Sequence, residues 1–145
     1  MMNLNHDALT AKKNIPTPVH VLVIDDELAI REAIEDILDL LDIEVLSAAN
    51  GKEGVELFAN WQSKISMVLL DMRMPVMSGE ETYRHIRDLD PSIPVVISSG
   101  YGEQEARELW INGALSTRNV SFLRKPYAID ELLELVKTQV SCISQ

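Results

Sequence analysis

The segment Val19-His20-Val21-Leu22-Val23-Ile24-Asp25-Asp26 is an almost unbroken apolar run that ends in two carboxylates. A β-branched run of this length, apolar at nearly every position, is typical of a central parallel strand buried on both faces. Four further runs predict strands, and they are Ile43–Ala48, Ile65–Leu70 followed by Asp71, Pro94–Ser98 and Val120–Leu123.

Helical patterns separate these runs. Apolar residues recur at helical spacing in Ile30, Ala33, Ile34, Ile37, Leu38 and Leu41. Further helices are predicted over Gly51–Gln62, Gly79–Leu89, Glu103–Asn112 and the segment after Pro126. Strands that alternate with helices predict an α/β fold, a doubly wound five-stranded parallel sheet with helices on both faces. Ligands of such sheets bind beyond the carboxyl ends of the strands.

Composition narrows the possible functions. The 145 residues carry 13 Lys and Arg against 23 Asp and Glu, a formal net charge of −10, which argues against binding to nucleic acid or anionic membranes. One cysteine, Cys142, excludes a disulfide framework. No apolar run is long enough for a membrane span and no secretory signal is visible, so we expect a cytoplasmic location.

The predicted domain organisation is simple. Residues 1–18 are predicted to be a flexible tail or linker, 19–142 the domain, and 143–145 the C-terminal end.

Charged side chains collect at the predicted strand ends. Asp25, Asp26 and Asp71 follow two of the strands, and Ser99 and Lys125 follow two others. Two carboxylates about 5 Å apart repel by roughly 3 kcal/mol at an effective dielectric near 20, so they share protons or bind a cation. An oxygen-only ligand set with few protein ligands favours Mg²⁺, which commonly bridges to a phosphate. An aspartate beside a metal can itself become the nucleophile.

Four motifs, each at the end of a predicted strand, together resemble the receiver domain of two-component response regulators over about residues 19–142. They are Asp25-Asp26, Asp71-Met72-Arg73-Met74-Pro75-Val76-Met77-Ser78-Gly79, Pro94-Val95-Val96-Ile97-Ser98-Ser99-Gly100-Tyr101 and Phe122-Leu123-Arg124-Lys125-Pro126-Tyr127. The resemblance implies a flavodoxin-like sheet of strand order 2-1-3-4-5.

The resemblance also implies a role for each site residue. Asp71 would accept a phosphoryl group from a histidine kinase or a histidine phosphotransfer protein. Mg²⁺ would be bound by Asp26, Asp71 and the backbone carbonyl of Arg73, with Asp25 acting through water. Lys125 would hold the phosphoryl group before a cis bond to Pro126. The switch residues would be Ser99 and Phe122.

Two further expectations concern output and lifetime. The output surface is formed by the predicted fourth helix, fifth strand and last helix; a downstream protein, or a second copy on phosphorylation, would bind it. The segment Leu115–Ser121 is a few residues longer than is usual in the family. We expect these extra residues to lie on the output surface and to affect partner binding there. Arg73 and Tyr101 occupy positions that tune dephosphorylation in the family, and these side chains predict slow loss of the phosphoryl group.

Other readings remain open from sequence alone. A haloacid-dehalogenase-like phosphatase also uses a strand-end aspartate, but its general acid position is here Arg73. A flavodoxin-like cofactor binder and a phosphorylation-independent pseudo-receiver scaffold are further alternatives, and Asp26 alone could simply cap a helix. The chain is expected to be a signalling domain that catalyses only its own phosphorylation and dephosphorylation. It is either free-standing or, slightly favoured, the receiver of a hybrid kinase.

Overall fold

The computed structural model describes residues 20–74, 76–100, 108 and 119–144. Five strands lie in this part of the chain, β1 (His20–Ile24), β2 (Glu44–Ala48), β3 (Ile65–Asp71), β4 (Val95–Ser99) and β5 (Val120–Arg124). Its helices are α1 (Leu28–Asp39), α2 (Gly51–Trp61), α3 (Gly79–Leu89) and the C-terminal helix (Ile129–Ser144), with a 3₁₀ turn at Gln62–Lys64. The predicted fourth helix, Tyr101 and residues 115–118 lie outside the described residues.

All five strands form one parallel sheet of order β2-β1-β3-β4-β5. The predicted fold class and strand order are therefore confirmed. Strand ends differ from the predicted ones by one residue, because Asp71 and Ser99 are themselves the last residues of β3 and β4. Ladder pairing of Asp71 with Ser98 and of Ser99 with Arg124 keeps these ends in register.

Two apolar layers cover the sheet. Alternate strand residues such as Leu22, Leu70 and Ile97 pack with Phe58 of α2 and Tyr83 of α3. The intervening residues pack on the other face with α1 and the C-terminal helix, and this second layer includes Val21, Leu69, Val96, Ile34, Leu38, Leu132 and Val136. Both faces of the central strands are thus buried, as their continuous apolar sequence predicts.

Local signals set the helix starts. Asn50 and Ser78 cap α2 and α3, since their side chains accept hydrogen bonds from the backbone N–H groups of Glu53 and Glu81. Helix α1 behaves differently: its N-cap is Glu27, without a side-chain cap bond. The alternative that Asp26 caps this helix is therefore wrong.

The remaining backbone features bear on the site and on membranes. The Lys125–Pro126 peptide bond is cis, as the resemblance implies. Within the described residues, every helix is too short or too polar to cross a lipid bilayer.

Candidate functional site

Two buried carboxylates meet at the carboxyl edge of the sheet. Asp25 follows β1 and Asp71 ends β3, and their exposed fractions are only 3% and 5%. Because Ile24 pairs with Leu70 in the ladder, the residues that follow them emerge side by side. The Asp25 Oδ1 atom accepts a 2.9 Å hydrogen bond from the backbone N–H of Glu27, which fixes the turn into α1.

The Lys125 ammonium lies between these carboxylates. Its Nζ is 3.1 Å from Asp25 Oδ2 and 3.3 Å from Asp71 Oδ1, and 3.9 Å from Glu27 Oε1. Burial works to lower the pKa of Lys125, but the charges of Asp25 and Asp71 outweigh burial and raise it. Lys125 is therefore a fixed positive charge against Asp71.

The electrostatics of Asp71 are those of a crowded buried acid. Its pKa is raised from 3.8 to about 6, chiefly by burial and secondly by the neighbouring Asp25 charge. Lys125 and the backbone N–H of Arg73 work in the opposite direction. A carboxyl held this way is easily protonated, and it gains from any cation that stabilises its ionised form.

The oxygens fit a hard divalent cation. Asp25, Asp26 and Asp71 each offer a carboxylate oxygen, and these oxygens all lie within 4.8 Å of one another. Two of the carboxylates are buried, while Asp26 is exposed and faces solvent from which a cation would arrive. Oxygen ligands with an open, solvated side suit Mg²⁺, which keeps several waters. The donor set thus fits the metal that the resemblance implies.

The other predicted site residues surround this centre. Arg73 is exposed, and its backbone N–H lies 3.4 Å from Asp71 Oδ1. Ser99 is buried at the end of β4, where its carbonyl accepts a 2.6 Å hydrogen bond from the Lys125 N–H. Phe122 is half-buried against the layer of α2 and α3. Since Tyr101 lies outside the described residues, the slow dephosphorylation expected from Arg73 and Tyr101 stays a prediction.

Sequence reasoning missed one residue that shapes the acidic turn. Arg31 on α1 donates from Nη1 to the backbone carbonyl of Asp25 at 2.7 Å. This bond ties the turn that carries Asp25 and Asp26 to the helix that follows. A basic residue one turn into an otherwise acidic helix was the available signal.

Sequence reasoning also missed an apolar groove beside the site, named the α1 groove after the helix that lines it. The α1 groove has a volume of about 530 Å³ and is almost wholly apolar. It is lined by Ile30, Ala33, Ile34 and Ile37 of α1 and by Lys125, Pro126, Tyr127 and Ile129. The spacing of the isoleucines indicated a buried helix face, and only the folded chain shows that part of this face stays open.

Comparison with protein families agrees with this geometry. The model of the response regulator receiver domain matches residues 21–137. Among curated proteins, sporulation initiation phosphotransferase F of Bacillus subtilis (strain 168) is 32% identical over 121 residues, or 81% of this chain and 90% of that protein. The autoinducer 1 sensor kinase/phosphatase LuxN of Vibrio campbellii is 34% identical over 113 residues, which are 77% of this chain but only 12% of LuxN.

Solved structures show the same architecture. A response regulator receiver domain protein from Clostridium thermocellum has a TM-score of 0.73 and 30% identity, with 85% of this chain and 94% of that chain covered. A chain of the CheX–CheY–BeF₃–Mg²⁺ complex from Borrelia burgdorferi has a TM-score of 0.73 and 26% identity, covering 87% and 95%.

Proposed function

The chain belongs to the response regulator receiver domain family, and we propose that it accepts a phosphoryl group on Asp71 from a histidine kinase or a histidine phosphotransfer protein. The observation that carries this proposal is the contact of Lys125 Nζ with Asp71 Oδ1, 3.3 Å, beside a second buried carboxylate. A carboxylate that is buried, charge-paired and set at a strand end can act as a nucleophile.

The transfer exchanges one bond to phosphorus for another. An Asp71 carboxylate oxygen attacks the phosphorus of a phosphohistidine, so that a P–O bond forms as the P–N bond breaks. The electron pair of the broken bond returns to the imidazole, which is then protonated. Attack requires ionised Asp71, and a pKa of about 6 leaves most of it ionised at neutral pH. Lys125 supplies a positive charge for the oxygens of the phosphoryl group.

We propose that Mg²⁺ is held by Asp26, Asp71 and the carbonyl of Arg73, with Asp25 bound through water. Support comes from the three carboxylate oxygens that lie within 4.8 Å of one another. When bound, the ion neutralises charge on the phosphoryl oxygens and on the carboxylates. The chain's own contribution is to hold Asp25 by the Glu27 N–H and Lys125, which leaves the exposed Asp26 available; Asp71 also keeps its contact with Lys125.

Signalling would follow from movement at Ser99 and Phe122. A phosphoryl group adds about −1.5 to −2 charges and new acceptor oxygens at Asp71. Ser99 ends β4 and Lys125 follows β5; the Ser99 hydroxyl would turn toward the phosphoryl group, and Lys125, already in contact with Asp71, would hold it. Phe122 on β5 would then fill the space left by Ser99, which changes the output surface for a downstream partner.

The phosphodonor protein would approach over the α1 groove. The groove ends at Lys125, which contacts Asp71, so a protein that delivers a phosphoryl group to Asp71 must cover this region. Three large apolar residues are exposed around the site: Leu28 and Ile129 at the starts of α1 and the C-terminal helix, and Val76 in the loop after β3. Their burial by a docked partner would exclude water from the reacting groups.

A phosphatase of the haloacid-dehalogenase type is not favoured. The position of its general acid is occupied by Arg73, which has no acceptor and cannot act as an acid–base group at neutral pH. The response regulator family match covers residues 21–137, the stretch that contains Asp25, Asp71 and Lys125.

The experiment that tests the proposed function is labelling by acetyl phosphate. With Mg²⁺, the intact mass should rise by one phosphoryl group, and Asp71→Asn should remove the gain. Asp88→Asn, the same change on the exposed face of α3, should label normally. Equal labelling of the Asp71→Asn variant would refute the assignment.

A further inference from the structure

The Asp25 carbonyl is held by a side chain from the helix that follows it. Arg31 on α1 donates from Nη1 to this oxygen at 2.7 Å, in partly buried surroundings. The carbonyl belongs to the turn before the N-cap Glu27, so the helix ladder offers it no backbone donor. A charged guanidinium is a stronger donor than a neutral group, and the bond from Arg31 therefore fixes this carbonyl firmly.

Asp25 is bound at four points, and each bond fixes a different part of the residue. Its backbone N–H donates at 3.1 Å to the carbonyl of the last residue of β2. Its carboxylate accepts from the Glu27 N–H at 2.9 Å and from Lys125 Nζ at 3.1 Å. These three bonds hold the strand end and the side chain. The fourth, from Arg31, acts on the peptide unit that joins Asp25 to Asp26.

This peptide unit determines the position of Asp26. Its atoms lie in one plane from the first Cα to the second, so a bond that fixes the Asp25 carbonyl also fixes the direction of the Asp26 Cα. Asp26 is exposed, so packing contributes little to holding it. Its carboxylate oxygen nevertheless lies with those of Asp25 and Asp71, all within 4.8 Å of one another. Arg31 thus acts on the carboxylate of this cluster that the core holds least.

We propose that Arg31 is a positioning residue of the magnesium site: by holding the Asp25 carbonyl it keeps the Asp26 carboxylate beside Asp71, and so raises the affinity for Mg²⁺. This inference rests on the proposed function, because Mg²⁺ is the ion proposed at these carboxylates. Groups that hold metal ligands in place, without touching the metal, commonly contribute about tenfold or more to the affinity of a site.

The charge of Arg31 allows this role to be distinguished from an electrostatic effect. Arg31 is the one basic residue of α1, and the other charged residues of this helix are acidic. A cation beside a cation site repels the incoming ion, so charge alone makes Arg31 unfavourable for Mg²⁺ binding. Removing the charge would then tighten binding, whereas removing a positioning bond would weaken it. The direction of the change in Kd therefore separates the two effects.

Arg31→Met tests this direction, because Met has a long side chain and a high helix propensity but no hydrogen-bond donor. Calorimetric titration with Mg²⁺, at an ionic strength fixed by NaCl, should give a Kd about tenfold higher than that of the wild-type chain. Arg31→Lys keeps the charge and a donor on a shorter stem without the guanidinium fork, so its Kd should lie between the two. Charge alone predicts a different order, with the tightest binding for Arg31→Met.

Arg84→Met is the matched control, since it makes the same change at an exposed position of α3, and its Kd should be that of the wild-type chain. A second readout is the Mg²⁺ concentration that gives half the maximal rate of labelling by acetyl phosphate. Arg31→Met should raise this concentration by the same factor as Kd and leave the rate at saturating Mg²⁺ nearly unchanged. A purely structural role would lower stability to urea in EDTA and would move neither quantity.

The outcomes that overturn the role of Arg31 are distinct from those that overturn the proposed function. An Arg31→Met chain that binds Mg²⁺ as tightly as wild type, or more tightly, would contradict it. If Arg31→Met does not fold, Arg31→Lys decides, because a wild-type Kd for that variant would show that the guanidinium is not needed. A wild-type chain that binds no Mg²⁺ would also overturn it. The phosphoacceptor function would fail instead through a wild-type chain that binds Mg²⁺ but gains no phosphoryl group on Asp71.

Discussion

Asp71 is held in a compromise between opposing charges. Burial and the Asp25 charge disfavour the ionised form of Asp71, while Lys125 favours it. Burial and Asp25 have the larger effect, so the pKa of Asp71 is raised. A carboxylate stabilised less strongly would be protonated, and one stabilised more strongly would be a poorer nucleophile. The residual strain is available to be relieved by a cation or by phosphorylation.

This balance predicts a pH-dependent cost in folding free energy. A carboxyl whose pKa rises on folding opposes folding when ionised, so its cost is absent below pH 3.8, grows as pH rises and is complete above about 6. In EDTA, Asp71→Asn should therefore raise the unfolding free energy by roughly 2 kcal/mol at pH 7.5 and by only about 0.5 kcal/mol near pH 4. Urea denaturation at both pH values measures it.

The control is again the exposed Asp88→Asn variant, whose effect should be small at both pH values. A gain for Asp71→Asn that is equally large at pH 4 would contradict the stated origin of the cost, because pH 4 lies close to the ordinary pKa of 3.8, where most of the cost has not yet developed.

Single residues differ in how far the sequence predicts them. Asp25, Asp71 and Lys125 follow apolar runs, and the carboxyl ends of parallel strands meet at one edge, so their meeting is predictable. The Arg31 side chain contacts the Asp25 carbonyl, and the Tyr127 hydroxyl is buried with no hydrogen-bond partner among the residues that the structure describes. Both features depend on side-chain directions in the packed chain, on which periodicity carries no information.

At the scale of elements, the loop from β3 to α3 ties the phosphoacceptor to a helix. The Gly79 N–H donates to the Met72 carbonyl at 3.1 Å, which folds the loop back on the end of β3. A Cβ on Gly79 would lie 2.8 Å from the Asp71 carbonyl oxygen and 2.7 Å from the Met72 Cα. These are backbone atoms, so they can yield only if the strand end moves.

Gly79→Ala should therefore damage both stability and chemistry. We expect a loss of about 1–3 kcal/mol in unfolding free energy, typical of overpacking, and a several-fold slower labelling of Asp71 by acetyl phosphate. Urea denaturation and intact-mass time courses measure the two effects.

Gly100 provides the matched control for this prediction. No atom of the described residues lies within 4 Å of a Cβ built there, and its φ is not positive. Gly100→Ala should then cost less than about 0.5 kcal/mol. Equal losses in the two variants would show that the close approach at Gly79 is not the cause.

Element boundaries show where sequence patterns lose precision. Helix α1 begins at Leu28, two residues before the first inward Ile30, because Glu27 caps it and the Asp25 carboxylate holds the Glu27 N–H. Apolar spacing indicates which face of a helix is buried, but it does not indicate where such a turn begins the helix. The entry to β5 is likewise set by a tertiary bond, from Arg87 Nη2 to the Asn119 carbonyl at 3.3 Å.

The whole molecule carries a formal net charge of −10, which complicates any test of metal binding. Every added cation screens the mutual repulsion of these charges and stabilises the folded chain somewhat. A specific site must therefore be separated from general screening. The exposed Asp26 allows this, because its removal leaves the buried contacts of Lys125 with Asp25 and Asp71 in place.

Mg²⁺ should raise the melting temperature of the wild-type chain above the value in NaCl of equal ionic strength. At a Mg²⁺ concentration ten times the dissociation constant, the gain is about 1.4 kcal/mol, or a few degrees for a chain of this size. Asp26→Asn should lose most of the gain, because one of the three clustered carboxylates is gone. Asp36→Asn removes the same unit of charge from the exposed face of α1 and should keep the gain. Equal responses of the two variants would assign the effect to screening, and the carboxylate cluster would then not be a magnesium site.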